Sequence, residues 1–212
     1  MSVTPRLNKK IVGLYAITAD ELMTNELLRR SRLVLQGGAR VLQYRNKLAD
    51  EALRFEQAHA LRQLTQAFGV PLIVNDDVAL AIKVNADGVH LGATDGEISR
   101  ARAQLGADKL IGASCYNRLD LAREAAGQGA DYVAFGAFFP TEIKPNAPHA
   151  ELSLLRRARA ELELPVVAIG GITAQNGAAL MAAGADALAV ISAVFSAPDI
   201  ESAAQEFSNL FN

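Results

Sequence analysis

Two aspartates of this chain could hold a metal ion, because each follows a short apolar run. Asp76 comes directly after the run Pro71–Asn75, and Asp95 comes shortly after the run Gly88–Leu91. If these runs are neighbouring strands, about 4.8 Å apart, both carboxylates can reach one ion. Oxygen ligands favour Mg²⁺ over zinc, and such an ion shares its shell with water and phosphate. The spacing therefore predicts magnesium; the competing interpretation is a helix cap at Asp76 and a solvated loop at Asp95.

Three basic residues could balance the charge of a diphosphate. Arg45 and Lys47 follow the apolar run Ala39–Tyr44, and Lys144 lies in the irregular, lid-like segment Pro140–His149. A guanidinium offers two parallel donors to a phosphate, and an ammonium group adds a compact charge. With the metal, these groups predict a diphosphate site; the alternative is ordinary solvated surface charge.

A second anion site is indicated near the end of the chain. Gly170-Gly171-Ile172-Thr173 follows the run Pro165–Ile169, and Ile191-Ser192-Ala193 ends the run Ala187–Ile191. Backbone N–H groups of such turns, next to a helix N-terminus, bind phosphate. The position favours a monophosphate site over a simple turn.

Nucleophilic side chains do not stand in a catalytic order. Cys115 is interpreted as a buried, inert thiol, and His90 as a hydrogen-bonded core histidine rather than a catalytic base. We find no Ser-His-Asp order and no glycosidase-like pair of carboxylates. The sequence therefore predicts chemistry by charge stabilisation and positioning.

The elements that must position these groups are eight short apolar runs separated by stretches with helical spacing. The runs are Ile11–Ile17, Ala39–Tyr44, Pro71–Asn75, Gly88–Leu91, Leu110–Ala113, Tyr132–Gly136, Pro165–Ile169 and Ala187–Ile191. Several lack polar alternation, which is typical of strands buried on both faces of a parallel sheet. The pattern predicts an α/β fold, a (β/α)₈ TIM barrel with its active site at the C-terminal ends of the strands. The alternative, an open doubly wound sheet, would more often show a Gly-rich loop after the first strand.

Helix starts and a weak repeat support the same fold. Candidate N-caps stand at Asp20, Asp50, Asp76, Asn117 and Thr173. The repeat places a small residue or glycine before an apolar run, at Gly37-Gly38-Ala39, Ala86-Asp87-Gly88, Gly129-Ala130-Asp131 and Gly184-Ala185-Asp186. Glycine at such a point can adopt a positive φ and end the preceding helix.

Composition excludes several classes of protein. The chain has 212 residues, 50% of them hydrophobic and 21% charged, with a net charge of -2. These values predict a single folded domain over residues 1–212 and argue against disorder, membrane spans and binding to nucleic acid. One cysteine and no secretory signal predict a cytoplasmic protein, and a homo-oligomer is left open.

The motifs together resemble the thiamine phosphate synthase family, from about Leu14 to Ile200. The matching segments are Gln43-Tyr44-Arg45-Asn46-Lys47, Val74-Asn75-Asp76-Asp77, Gly88-Val89-His90-Leu91-Gly92 with Asp95, Gly112-Ala113-Ser114-Cys115, Phe139-Pro140-Thr141 with Lys144, and Ile169-Gly170-Gly171-Ile172. They occur in the family's order, each at the end of a predicted strand. This makes the resemblance far more specific than any single glycine pair.

The resemblance implies a Mg²⁺-dependent transferase that joins 4-amino-2-methyl-5-(diphosphooxymethyl)pyrimidine to a thiazole ethyl phosphate. Asp76 and Asp95 would hold the metal. The pyrimidine diphosphate would contact Gln43, Tyr44, Arg45, Asn46, Lys47, Asn75, Ser114 and Lys144, of which Arg45, Lys47, Ser114 and Lys144 are the catalytic candidates. The thiazole phosphate would contact Thr141, Ile143, Gly171, Ile191 and Ser192. The implied partners are therefore small molecules.

The chain departs from the family pattern in several places, three of which lie within or beside the matching segments. Asn46 stands where the family has Glu, Ala93-Thr94 precedes Asp95, and Ile143 stands where a Thr is usual. Two alternatives stay open: a thiazole tautomerase, whose family carries a His where this chain has Ala137, and a non-catalytic paralogue that binds thiamine precursors.

Overall fold

The eight apolar runs form a closed parallel barrel, in which each strand pairs with the next and β8 pairs with β1. The computed structural model describes residues 11–21, 23–92, 97–141 and 148–212. In chain order the elements are β1 (Gly13–Ile17), α1 (Thr24–Gln36), β2 (Val41–Tyr44), α2 (Glu51–Phe68), β3 (Leu72–Asn75), α3 (Val78–Lys83), β4 (Gly88–Gly92), α4 (Glu97–Leu105), β5 (Leu110–Tyr116), α5 (Leu119–Gly127), β6 (Tyr132–Phe135), α6 (Leu152–Glu161), β7 (Val166–Ile169), α7 (Ala174–Ala182), β8 (Ala187–Val190), α8 (Ser192–Phe195) and α9 (Ile200–Asn209). The predicted barrel is confirmed, and the doubly wound sheet is wrong.

Strand side chains divide into an interior set and an exterior set, because successive residues point to opposite faces. The exterior set, with Leu14, Leu42 and Leu72 among its members, packs against the helices. The interior set fills the barrel, and it comprises Tyr15, Ile17, Val41, Ile73, Leu110, Tyr132, Ala134, Val167, Ala187 and Ala189. Burial on both faces explains why the runs lack polar alternation.

Two predicted helix starts are confirmed. The Asp50 carboxylate accepts a hydrogen bond from the Leu53 backbone N–H at 2.8 Å and caps α2. Thr173 caps α7 through a reciprocal capping box with Asn176. Within the described ranges, no helix has the length and apolar character that a membrane span requires.

The other three predicted caps, Asp20, Asp76 and Asn117, are wrong. Helices α1 and α5 begin after Met23 and Arg118, without a side-chain cap. Asp77 caps α3 by accepting from the Leu80 backbone N–H at 2.8 Å. A cap needs a side chain placed over the first turn, and Asp20 and Asp76 are turned to other partners at the carboxyl end of the barrel.

The weak repeat marks the amino-terminal end of the barrel. Asp131 accepts a hydrogen bond from the Ile111 backbone N–H at 2.8 Å and pairs with Arg102 of α4. The same arrangement, which we call the amino-terminal clamps, recurs as Asp87 with Leu72 and Arg62, and as Asp186 with Val166 and Arg159. In each clamp the aspartate directly precedes an even-numbered strand. It bonds to the start of the preceding strand and to an arginine on the helix before that strand, as Asp131 before β6 bonds to β5 and α4.

Candidate active site

A cavity of about 860 Å³ opens at the carboxyl ends of β2, β3 and β4. Its walls include six residues that the sequence predicted for a diphosphate and metal site, namely Tyr44, Arg45, Asn46, Lys47, Asn75 and Asp76. The ends of parallel strands converge at this face of a barrel, which brings groups from separate loops together. The structure therefore places two of the three predicted cations, Arg45 and Lys47, and one predicted metal ligand, Asp76, around a single space.

Asp76 is aimed by an unusual backbone conformation. Its φ is +61°, in the left-handed region that non-glycine residues seldom adopt, and its N–H donates to the His90 carbonyl at 2.8 Å. The turn leaves the helix cap to Asp77, one residue later. The exposed Asp76 carboxylate lines the cavity, where it accepts from the Asn75 side-chain amide at 2.7 Å.

The loop between β2 and α2 is held by two polar residues that sequence reasoning missed as site residues. The Asp20 carboxylate accepts from the Arg45 guanidinium at 3.1 and 3.2 Å and from the Lys47 backbone N–H at 2.7 Å. The Thr18 hydroxyl bonds to both the N–H and the carbonyl of Arg45, at 2.9 Å each. Both residues follow β1 directly, and that position was the available signal, since polar residues after barrel strands face the active site.

Asn46 and Tyr44 line the cavity, but their polar side-chain atoms are engaged inside the loop. The Asn46 amide donates to the Glu21 carbonyl at 2.6 Å and to Gln57 Oε1 at 3.0 Å, and its oxygen accepts from the Leu48 N–H at 3.1 Å. The buried Tyr44 hydroxyl donates to the same Gln57 oxygen at 2.9 Å. Their predicted contacts with the pyrimidine diphosphate stay predictions; what the structure shows is that they shape the loop.

Gln43 and Ser114 belong to the barrel interior beneath the strand ends. The Gln43 amide donates to the Tyr15 hydroxyl at 2.8 Å, and Ser114 Oγ lies 2.9 Å from His90 Nε2. His90 is 9% exposed, and both of its ring nitrogens lie within hydrogen-bond distance of a hydroxyl. The prediction of a hydrogen-bonded core histidine is confirmed.

Cys115 is fully buried on β5, with its thiol 3.6 Å from the Ala113 carbonyl. Burial raises the pKa of Cys115 to about 12. A thiol with so high a pKa is not a nucleophile at neutral pH. The prediction of an inert thiol is confirmed.

Thr141 and Gly171, predicted for the second anion site, lie on two adjacent loops. The Phe139 N–H donates to the Gly170 carbonyl at 3.0 Å, and a Cβ atom on Gly171 would lie 2.3 Å from the Pro140 carbonyl oxygen. Only glycine permits so close an approach, and Gly171 also has a φ of +61°. The loops after β6 and β7 are therefore packed together, which places Thr141 beside Gly171.

Ile191 and Ser192 follow β8 at the same end of the barrel. Ile191 is partly buried against the interior set, together with Ile169. Ser192 is exposed at the first residue of α8. At this end of the barrel, partly buried isoleucines are therefore followed in the chain by the exposed Ser192.

Two further arginines line the cavity, and sequence reasoning missed both. Arg54 lies in the first turn of α2, with its guanidinium 3.8 Å from the Asp77 carboxylate, and Arg100 lies in the first turn of α4. The available signal was a basic residue one turn into a helix that follows a barrel strand. They raise the positive charge around the cavity beyond Arg45 and Lys47.

Three predicted site residues, Asp95, Ile143 and Lys144, lie outside the described residues. Across the part of the chain that the structure covers, no three His, Cys, Asp or Glu side chains are grouped as metal ligands. Mg²⁺ does not require such a cage, since one or two carboxylates plus substrate phosphates commonly hold it. The exposed Asp76 carboxylate beside the cationic wall of the cavity fits that mode of binding.

Comparison with known proteins agrees with this geometry. Residues 14–194 match the family model described as thiamine monophosphate synthase. The chain is 58% identical over 202 residues to the thiamine-phosphate synthase of Methylobacillus flagellatus, covering 95% of this chain and 96% of that protein. It is 55% identical over 205 residues to that of an Azoarcus species, covering 97% and 100%.

Solved structures point the same way. A thiamine phosphate pyrophosphorylase from Pyrococcus furiosus superposes with a TM-score of 0.85 at 38% identity, covering 96% of each chain. A 3-hexulose-6-phosphate synthase, at 20% identity and a TM-score of 0.69, shares the fold alone. The chain thus belongs to the thiamine monophosphate synthase family, and it is a transferase of thiamine biosynthesis.

Proposed function

We propose that the chain joins 4-amino-2-methyl-5-(diphosphooxymethyl)pyrimidine to thiazole ethyl phosphate, releasing diphosphate and forming thiamine phosphate. The observation that carries this proposal is the cavity itself, which combines Arg45, Lys47, Asn75 and Asp76 at the carboxyl ends of three adjacent strands. Such a wall suits a diphosphate with a bound cation. The family relationship supports the identity of both substrates.

Arg45 and Lys47 bind the diphosphate. The Asp20 carboxylate fixes the Arg45 guanidinium and the Lys47 backbone before substrate arrives. Donors held in place in this way lose little entropy on binding and need no rearrangement as charge develops on the leaving group. Lys144 adds a third cation in this proposal.

Asp76 and Asp95 hold Mg²⁺, with Asn75 orienting the Asp76 carboxylate through its side-chain amide. When bound, the ion supplies positive charge that stabilises the leaving diphosphate. The left-handed backbone of Asp76 directs this carboxylate to the cavity instead of the helix α3.

Bond breaking precedes bond making in this reaction. The bond between the methylene carbon and the diphosphate oxygen breaks, and the electron pair leaves with the diphosphate. The aminopyrimidine ring spreads the positive charge, and the thiazole nitrogen then donates its lone pair to the same carbon. Gln43 and Ser114 orient the pyrimidine. No nucleophilic side chain is needed, in agreement with the buried, protonated thiol of Cys115.

The thiazole phosphate binds over the loops after β6, β7 and β8. Thr141, Gly171 and Ser192 supply its hydrogen-bond donors, and Ile191 supplies an apolar surface against the ring. Ile143 offers no hydroxyl where the family has one, which weakens the phosphate contact. Ala137, just after β6, is 9% exposed and has no group that could move a proton, which argues against a tautomerase.

The purified chain, Mg²⁺ and the two substrates test this proposal. We expect thiamine phosphate, measured after oxidation to fluorescent thiochrome, and we expect EDTA to abolish it. For any variant of a cavity arginine, the matched control is Arg156→Ala, because Arg156 is an exposed arginine on α6 that does not line the cavity. Absence of product with both substrates and Mg²⁺ would refute the proposal.

A further inference from the structure

A chain of five polar side chains crosses the barrel interior. We call it the interior relay, and its members are Gln43 of β2, Tyr15 of β1, Tyr132 of β6, His90 of β4 and Ser114 of β5. The contacts are Gln43 Nε2 to Tyr15 Oη at 2.8 Å, Tyr15 Oη to Tyr132 Oη at 2.7 Å, Tyr132 Oη to His90 Nδ1 at 3.1 Å, and His90 Nε2 to Ser114 Oγ at 2.9 Å. The relay joins two residues that the proposed function assigns to the pyrimidine substrate.

The two tyrosines of the relay are locked in their neutral form. Tyr15 is 1% exposed and Tyr132 is 0% exposed. Burial raises the pKa of both hydroxyls far above the usual value for tyrosine. Each hydroxyl therefore keeps its one proton and donates one hydrogen bond.

The direction of the relay follows from that single proton. Within the described residues, the Tyr15 hydroxyl has hydrogen-bond partners in Gln43 and Tyr132. Gln43 presents its Nε2, a donor, so Tyr15 accepts there and donates to Tyr132. Tyr132 has then accepted one bond, and its own proton is directed to His90 Nδ1.

The imidazole passes this direction to Ser114. A ring nitrogen that accepts carries no proton, so Nδ1 is bare and Nε2 carries the hydrogen. His90 Nε2–H therefore donates to Ser114 Oγ. The Ser114 hydroxyl proton is left available as a donor to another group.

We propose that His90 is a positioning residue, held by the interior relay in its Nε2–H tautomer so that Ser114 presents a hydrogen-bond donor to the substrate. Diphosphate oxygens and pyrimidine ring nitrogens accept hydrogen bonds, so they match a donor. In the opposite tautomer the Ser114 hydroxyl would donate its hydrogen bond to His90 Nε2, and only its oxygen lone pairs would face those acceptors. The claim that Ser114 donates to the substrate rests on the proposed function. The assignment of the His90 tautomer does not.

A glycine gives the relay its space. A Cβ atom on Gly112 of β5 would lie 2.0 Å from Tyr132 Cζ and 2.3 Å from Tyr132 Oη. The tyrosine ring occupies the volume that any other residue at position 112 would fill. In this position the Tyr132 ring centroid lies 5.6 Å from the His90 ring centroid and 5.9 Å from the Tyr15 ring centroid.

The tautomer is measured by nitrogen NMR on protein labelled with ¹⁵N-histidine and purified without a histidine tag. The chain has three histidines, so the double variant His59→Gln with His149→Gln retains His90 alone. We expect a pyrrole-like resonance from Nε2 and a pyridine-like resonance from Nδ1 at neutral pH. A protonated Nδ1, an imidazolium or an average of the two tautomers would overturn the proposal.

A second variant reverses the relay without changing its size. In Gln43→Glu the carboxylate accepts from Tyr15, so every later bond turns round and His90 becomes the Nδ1–H tautomer. The matched control is Gln57→Glu, another buried glutamine that bonds a tyrosine hydroxyl, that of Tyr44. There His90 keeps its Nε2–H tautomer. An unchanged tautomer in folded Gln43→Glu, checked by circular dichroism, contradicts the relay.

Enzyme activity provides an independent test of the positioning role of His90. Tyr132→Phe removes one hydroxyl from the relay and none of the proposed substrate contacts. We expect kcat to fall about tenfold, the His90 Nδ1 resonance to shift, and KM for the thiazole phosphate to stay unchanged. Full kcat with an altered tautomer would overturn the role in positioning. If the wild-type chain makes no thiamine phosphate, the proposed function fails while the NMR result still decides the tautomer.

Discussion

The two ends of the barrel use the same pair of residue types for opposite purposes. At the amino-terminal end, Asp131 accepts from a strand N–H and pairs with Arg102, whose side chain is 16% exposed. At the carboxyl end, Asp20 pairs with Arg45, and that guanidinium still lines an 860 Å³ cavity. Asp76 lies at the same cavity, bonded to the amide of Asn75. One end is closed on itself and the other opens on a cavity.

The difference follows from the polarity of parallel strands. Strands that begin at the amino-terminal end present unpaired N–H groups there, and each clamp carboxylate satisfies one of them. At the carboxyl end the strands present carbonyl groups, which cannot bond to carboxylates. Acidic side chains at that end bond to loop and helix N–H groups or to cations: Asp77 caps α3, and Asp20 accepts from the Lys47 N–H and the Arg45 guanidinium. Four experiments test this contrast, in order of expected effect.

Asp76→Asn should lower the rate of thiamine phosphate formation about 1,000-fold, equivalent to about 4 kcal/mol, by removing the charge proposed to hold Mg²⁺. Asn tolerates the left-handed φ of +61° at this exposed position, so the melting temperature should stay unchanged. Thiochrome rates and thermal unfolding measure both. A variant with full activity and normal Mg²⁺ dependence would remove Asp76 from the metal site.

Asp131→Ala should lower stability and leave activity unchanged. We expect the free energy of unfolding to fall by about 3 kcal/mol. The change leaves Arg102 and the Ile111 N–H without the carboxylate that binds both. Urea denaturation measures the loss. Specific activity of the folded fraction should equal that of the wild type, and a lower value would mean that the two ends are coupled.

Arg100→Ala should raise KM for the pyrimidine diphosphate about tenfold, equivalent to about 1.4 kcal/mol, because one cation of the cavity wall is lost. Added salt should reduce the difference in KM between the variant and the wild type, since salt screens exposed charges. The matched control is Arg156→Ala, away from the cavity. Equal KM values in the two variants would limit the anion site to the residues of the β2–α2 loop.

Arg159→Ala should have the smallest effect, below about 1 kcal/mol in the free energy of unfolding. Arg159 belongs to the third clamp, but its side chain is 60% exposed and solvent screens its pair with Asp186. Arg102→Ala should lower the free energy of unfolding by more, because the Arg102 side chain is only 16% exposed. Denaturation of both variants ranks the clamps, and equal losses would show that burial does not set their strength.

Local patterns were sufficient to predict the strands and the family. All eight runs are strands, with ends that shift by a few residues, as at β5, which extends to Tyr116. The predicted cluster of Arg45, Lys47, Asn75 and Asp76 is found at one cavity. Hydrophobic runs and strand-end polar residues are short-range features, and a parallel barrel brings every strand end to one face.

Contacts between distant strands escaped the same reasoning. Tyr15 and Tyr132 are 117 residues apart in the chain, and both resemble ordinary apolar core residues of a strand. Asp20 resembles a helix cap, yet it binds Arg45 across two loops. Nothing in the local pattern distinguishes these alternatives, because the deciding partner is set by how the barrel closes.

The sequence by itself determined the α/β barrel, because strand and helix periodicities are written in consecutive residues. The family followed from the resemblance of the motifs at the strand ends, and not from periodicity. The tertiary structure alone decided which aspartate caps α3, which carboxylate faces the cavity, and which hydroxyls connect Gln43 to Ser114. Those outcomes depend on the register of strands closed into a ring. Register is a property of all eight strands together, so no single segment contains it.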